Sequence, residues 1–172
     1  GWGEAAPWEV FTGTAEAAVA ALDIYLRPLV IGARVDRIRA LTLQMKKALV
    51  GHGEAKLAIE TAMFDILGQA SGLSIATLLG GRVRDTIPLS FSIADPDFDA
   101  DMRRMEEMVP KGNRIFKVKT GVKSHQEDVA HLEAMRNAFG DTIDLRIDYN
   151  QALQPFGAIK KLRDVDQFKP TF

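Results

Sequence analysis

Four residues of this chain have the types and spacing that chemistry needs. Lys117 and Lys119 stand two apart in Ile115-Phe116-Lys117-Val118-Lys119-Thr120, and Asp148 and Asn150 stand two apart in Leu145-Arg146-Ile147-Asp148-Tyr149-Asn150. On a strand, residues two apart share a face. The lysines therefore share one face, with Phe116 and Val118 on the other, and Arg146, Asp148 and Asn150 share theirs. Ammonium groups that repel each other and lose water are driven toward the neutral form, which is what a base at neutral pH requires. Asp148 and Asn150 offer hard oxygens of the kind Mg²⁺ prefers. Asp-x-Asn also opens calcium loops, but Ala152 and Leu153 stand where that loop needs a ligand and a glycine. An isolated Lys-x-Lys is most often a solvated face, and an isolated Asp-x-Asn most often turn chemistry. Here Lys119 and Asp148 end successive strand segments 29 residues apart, so the two pairs are expected to converge.

The elements that must position them alternate in the second half. The spacing predicts strands over Thr86–Ala94, Arg114–Thr120 and Asp144–Asn150, with helices over Asp97–Val109, Ser124–Phe139 and Pro155–Phe168; Lys169–Phe172 starts a further strand. Ser124 and Glu127 form a capping box. Met102, Met105 and Met108 recur at helical spacing and are expected in the core. The first half, to about Arg84, reads as helical: Ala15–Leu26 capped by Thr14 and stopped by Pro28, then a helix capped by Asp36 running to Leu49, then Glu54–Ser71 closed by Gly72. His52 lies between two glycines and reads as a turn residue. Gly1-Trp2-Gly3-Glu4-Ala5 reads as the end of a strand leading into a loop, as if the front were clipped.

Repeated strand–helix units of about 30 residues imply right-handed crossovers and a parallel sheet. Each predicted strand has one apolar face and one polar or small face; in the first, Ser90, Ser92 and Ala94 alternate with Leu89, Phe91 and Ile93. A parallel sheet covered on both faces would show near-continuous apolar runs. A barrel lined with polar groups near its C-terminal rim shows this alternation instead, and that rim is where barrel active sites lie. Neither a Gly-x-Gly-x-x-Gly nor a Walker loop is present.

The 172 residues are 47% hydrophobic and 26% charged, with a formal net charge of −1 and no cysteine. This composition suits a globular chain with a core. It argues against nucleic-acid or membrane partners, and it excludes disulfides, thiolate nucleophiles and cysteine-ligated zinc. Lack of cysteine fits a cytoplasmic location.

The strand pairs resemble the enolase superfamily, and within it the muconate-lactonising (cycloisomerase) branch. Phe116-Lys117-Val118-Lys119-Thr120-Gly121 is similar to that branch's Lys-x-Lys strand, and Arg146-Ile147-Asp148-Tyr149-Asn150-Gln151 to its first metal-ligand strand. Ala55-Lys56-Leu57-Ala58-Ile59-Glu60 through Leu78-Leu79-Gly80-Gly81 is similar to the end of its capping domain. The resemblance implies an α/β chain. Residues 1–85 would be an incomplete, mostly helical α+β capping domain, and residues 86–172 the first three βα units of a (β/α) barrel. It implies Lys119 as acid or base, Lys117 as a neighbouring charge that helps bind substrate carboxylate, and Asp148 as first Mg²⁺ (or Mn²⁺) ligand with Asn150 in support. Such sites pair a lysine or histidine with Mg²⁺ that stabilises an enediolate. Two further acidic ligands and a second lysine belong to later strands. A homo-oligomer is also implied.

Trp8 and Phe11 sit where a capping-domain loop of the family closes over substrate, although a loop tryptophan can equally pack on a helix. Ser92 could contact substrate or merely fit a crowded barrel. His125 and His131 read as solvated helix residues. The readings that follow are a cycloisomerase acting on a carboxylate small molecule, a racemase or epimerase of amino-acid derivatives that uses the same lysines, or a catalytically incomplete fragment that acts only in assembly.

Overall fold

Thr14 accepts a hydrogen bond from the Ala17 N–H through its side chain, and α1 (Ala15–Ala20) starts there. The structure, a computed structural model that describes Gly1–Phe172, then departs from the expected stop at Pro28. A π-helical turn covers Ala21–Leu26, and α2 (Arg27–Val30) carries the rod on to Val30. Pro28 falls in the first turn after this widened segment, where the N–H it lacks is not needed for an intrahelical bond. Asp36 does not cap the next helix. Its carboxylate takes the Arg34 guanidinium at 3.0 and 2.6 Å, a 3₁₀ turn spans Val35–Arg37, and α3 (Ile38–Ala48) begins after it.

The end of α3 is held by a lysine. Lys56, almost fully buried in α4 (Gly53–Ser71), donates its ammonium protons to the carbonyls of Leu49 and Gly51. His52 precedes α4 with φ +50°, the turn role expected of it. Gly72 closes α4 in the left-handed region, and Ser74 caps the short α5 (Ile75–Leu78). The opening residues form no strand. They lie along α4, where the Trp2 N–H donates to Asp65 at 2.8 Å. A Cβ on Gly3 would stand 1.7 Å from the Ala58 carbonyl oxygen, so only glycine fits. Leu26, Leu41, Met45, Ala55 and Met63 fill the core of this region.

The chain divides into two compact units, Gly1–Asp85 and Thr86–Phe172. The second contains three parallel strands in the order β1-β2-β3: β1 (Ser90–Ile93), β2 (Ile115–Lys119) and β3 (Asp144–Asp148). Helices α6 (Phe98–Met108), α7 (His125–Phe139) and α8 (Ala158–Asp166) follow them in turn. β1 is shorter than expected. Its first pair is Ser90 with Ile115, so residues 86–89 have no partner strand, and Pro88 has no N–H to give one. The capping box of Ser124 and Glu127 is present in both directions.

Strand alternation is as the sequence implies. Phe91, Ile93, Phe116, Val118, Leu145 and Ile147 point to the helix-covered side and join Met105, Leu132, Met135 and Val165 in one core. Met102 and Met108 pack against it, so the methionine stripe is structural. The other sheet face carries Ser92, Lys117 and Arg146 in register, then Lys119 opposite Asp148. Beyond α8, the Thr171 N–H donates to the Leu145 carbonyl at 2.9 Å, and the Ile147 N–H to the Phe172 carbonyl at 2.8 Å. The terminal residues thus run beside the open edge of β3 without forming a full strand. No helix is long and apolar enough to cross a membrane.

Candidate active site

Three devices bring the C-terminal ends of β2 and β3 together. The ladder pairs Lys119 with Asp148. The Thr120 N–H extends it by donating to the Asp148 carbonyl at 3.1 Å. Asn150 and Gln151 then both take positive φ, +42° and +70°, a conformation asparagine tolerates better than most residues. Just before this turn, the Asn150 N–H donates to Asp148 Oδ1 at 3.0 Å.

The side chains meet on a single oxygen. Lys119 Nζ lies 2.7 Å and Lys117 Nζ 3.3 Å from Asp148 Oδ2. Lys119 also donates to the Asn150 side-chain oxygen. All three ion-pair members are roughly one-quarter to one-third exposed, at 32% for Lys117, 26% for Lys119 and 28% for Asp148. The hydrogen bond from Lys119 draws the Asp148 carboxyl below its ordinary range; burial opposes this, while the Asn150 N–H and Lys117 reinforce it. Two ammonium groups against one carboxylate leave a net positive charge on an accessible rim, the sign that attracts an anion. Mutual repulsion of the lysines, expected from spacing alone, is thus offset by the carboxylate they share.

Asp148 and Asn150 are oxygen donors on adjacent backbone, and Asp148 is held ionised, so the donor chemistry fits Mg²⁺. The number of donors does not complete a site: no three His, Cys, Asp or Glu side chains converge anywhere in the chain. Remaining ligands would have to come from outside these strands.

The other expected residues fall in different places. Ser92 is exposed on β1, in register with Lys117 on the same face. Trp8 and Phe11 belong to the first unit. Their rings meet edge to face at 4.9 Å, and both stay exposed, at 61% and 43%. His125 is not solvated; its Nε2 lies 3.1 Å from Asp164 Oδ2, and its Nδ1 is buried. Nor is His131 free: it stacks on Phe98 at 3.8 Å, and burial, aided by Lys123, lowers its pKa.

Two residues beside the site, Gly121 and Asp128, are not singled out by strand parity. Gly121 follows the lysine strand with φ +81°, and its N–H donates to the buried Asp128 carboxylate at 2.8 Å. A glycine directly after Lys-x-Lys-Thr, with an acid in the first turns of the next helix, was the available signal.

Comparison with known proteins identifies the family. Residues 1–80 match the family model of the mandelate racemase / muconate lactonizing enzyme N-terminal domain, and residues 100–172 match that of the enolase C-terminal domain-like family. The crystal structure of a muconate cycloisomerase from Azorhizobium caulinodans is 67% identical with a TM-score of 0.89, covering 100% of this chain and 47% of that one. The muconate lactonizing enzyme from Pseudomonas putida is 29% identical at the same TM-score of 0.89, over 97% of this chain and 46% of that one. Among curated relatives, a chloromuconate cycloisomerase from Cupriavidus pinatubonensis is 38% identical over 76% of this chain and 36% of its own length. Muconate cycloisomerase 1 of Acinetobacter baylyi is 32% identical over 96% of this chain and 46% of its own length. The chain thus spans less than half the length of these relatives. Both family matches and these relatives place it in the enolase superfamily, in the muconate-lactonising branch.

Proposed function

We propose that the protein carrying these strands in a complete barrel is a Mg²⁺-dependent (or Mn²⁺-dependent) cycloisomerase of the muconate-lactonising type. It would act on a small carboxylate through an enolate-like intermediate. The observation that carries this reading is the shared oxygen: Lys119 at 2.7 Å and Lys117 at 3.3 Å from Asp148 Oδ2, at the ends of neighbouring parallel strands. In this reading the first unit serves as the capping domain, and the second contributes the first three βα units of the barrel.

A hydrogen on the carbon beside a carboxylate is very weakly acidic, because the electron pair it leaves must spread onto oxygens already negative. When bound, Mg²⁺ held by Asp148 with support from Asn150 supplies positive charge to those oxygens. Lys119 moves the proton. As an ammonium it gives a proton to that carbon when the lactone ring closes, and as an amine it takes the proton back in the reverse direction. Lys117 keeps its charge and holds the substrate carboxylate near the rim. Ser92 is proposed as a substrate contact because it shares the face of Lys117; for Trp8 and Phe11 the proposal rests on the resemblance of their loop to the family's capping-domain loop, and both rings are exposed. The family resemblance underlies the proposal of a homo-oligomer, and the lack of cysteine that of a cytoplasmic location; sedimentation and fractionation would test them.

Turnover of a muconate with and without exhaustive chelation, in a protein with the complete barrel, tests the reading. Lactone formation that stops on chelation and returns with Mg²⁺ supports it. Lactone formation that survives chelation removes the metal role. Stereochemical inversion of an amino-acid derivative without lactone formation would favour the racemase or epimerase reading.

A further inference from the structure

The end of β2 is fixed from three directions, and one of them is a buried acid that takes no part in the ion pair. On the strand side, the Thr120 N–H is bonded to the Asp148 carbonyl at 3.1 Å. On the turn side, Gly121 is wedged against the loop that follows Asp148. A Cβ there would stand 2.5 Å from the Ala152 Cβ and 3.0 Å from the Tyr149 ring, so no other residue fits. The third restraint comes from α7. Asp128, 4% exposed, accepts the Gly121 N–H through Oδ2 at 2.8 Å. Gly121 is two residues past Lys119. The backbone that aims the Lys119 side chain at Asp148 is therefore tied to the first turns of the next helix.

A carboxylate is an expensive group to bury, and a packed helix could fill the same space with an apolar side chain. Asp128 instead accepts one N–H, that of Gly121, a turn residue with φ +81°. We propose that Asp128 is a positioning residue, whose hydrogen bond to Gly121 sets where the Lys119 ammonium stands relative to Asp148. This rests on the reading of Lys119 as the group that moves the proton.

The test measures acetylation of each lysine in this chain by acetic anhydride, followed by peptide mass spectrometry. Lys119 is sheltered by Asp148 and Asn150, whereas Lys160 and Lys161 are exposed and serve as internal references. Asp128→Ala removes the acceptor. It should raise Lys119 labelling at least about fivefold relative to the references, with Lys56 in the first unit unchanged. Asp128→Asn keeps an acceptor oxygen and should stay within about twofold of the parent. Selective Lys119 exposure in Asp128→Ala, rescued in Asp128→Asn, supports the proposal. Unchanged Lys119 labelling in a folded Asp128→Ala overturns it. If Asp128→Ala loses its cooperative melt, Asp128→Asn decides: retained shelter supports the acceptor role, and raised Lys119 labelling overturns it. Labelling does not depend on turnover, so it separates this proposal from the catalytic one. Loss of shelter together with full activity in Lys119→Ala would sink the catalytic reading and leave the positioning intact.

Discussion

Lys56 and Lys119 are both largely withdrawn from solvent, yet the protein satisfies them in opposite ways. Lys56 is held by two backbone carbonyls, those of Leu49 and Gly51, at the end of α3. These acceptors are fixed by the fold, and the lysine completes a helix terminus that would otherwise leave orphan carbonyls. Lys119 is held by side chains, Asp148 and Asn150, on a rim with Lys117 alongside. Side-chain acceptors can turn toward another ligand, so Lys119 can be released without unfolding anything. The difference teaches that partial burial alone does not mark a functional lysine; the kind of acceptor does.

The sharpest way to break the comparison is to remove each ammonium. In an enzyme with the complete barrel, Lys119→Ala should lower kcat by at least about 10²-fold, the low end for a positioned acid or base, with the melt nearly unchanged. Lys56→Ala should do the reverse. Two carbonyls would lose their donor, at a cost of about 1–3 kcal/mol, while labelling of Lys119 stays at the parent value. Equal effects of the two substitutions on stability would erase the distinction.

Asp148→Asn sharpens it from the acceptor side. It should abolish most activity while changing stability by less than about 1 kcal/mol, because the side chain lies on the rim and not in the core. Denaturant titration beside turnover checks both halves. Loss of the cooperative melt would mean that Asp148 is structural.

Smaller effects should separate Lys117 from Lys119. Arginine keeps the charge but stays protonated at neutral pH. Lys119→Arg should therefore recover little activity, and Lys117→Arg should be the milder change in kcat.

The smallest effects concern pH. The folded-state pKa of Asp148 is depressed, chiefly by Lys119. Its contribution to stability is present above the unfolded value of 3.8 and is lost as pH falls through the lower folded value. Asp128 has the opposite sign, since burial raises its pKa above 3.8 despite the Gly121 N–H. Its charge costs stability at neutral pH, and that cost disappears on acidification through the raised value. Asp128→Asn should accordingly stabilise the chain at pH 7 and lose that gain as pH falls through the raised value to below 3.8. Denaturant midpoints at the two pH values check this; a gain independent of pH would contradict it.

Local pattern made much of this legible in the sequence. Strand parity alone put Lys117, Lys119 and Asp148 on one face and Phe116, Val118 and Leu145 on the other. Ser124 and Glu127 announced α7 because a capping box is a purely local device. What spacing could not show depends on partners distant in the chain. His125 reads as solvated until Asp164, 39 residues on, is brought beside it. Asp36 reads as a cap until Arg34 claims it. Pro28 reads as a stop because a π turn that accommodates it has no simple sequence rule. Asp128 looks like an ordinary surface acid of a helix until the fold buries it and brings the Gly121 N–H within 2.8 Å.

Solvent isotope exchange at the carbon beside the substrate carboxylate tests the central claim most directly. It is measured in a complete-barrel enzyme carrying Lys119→Arg and compared with the parent. If Lys119 moves the proton, arginine cannot replace it, and exchange of that hydrogen should fall by at least about 10²-fold. Exchange at the parent rate would show that another group moves the proton, and the role of Lys119 would have to be abandoned.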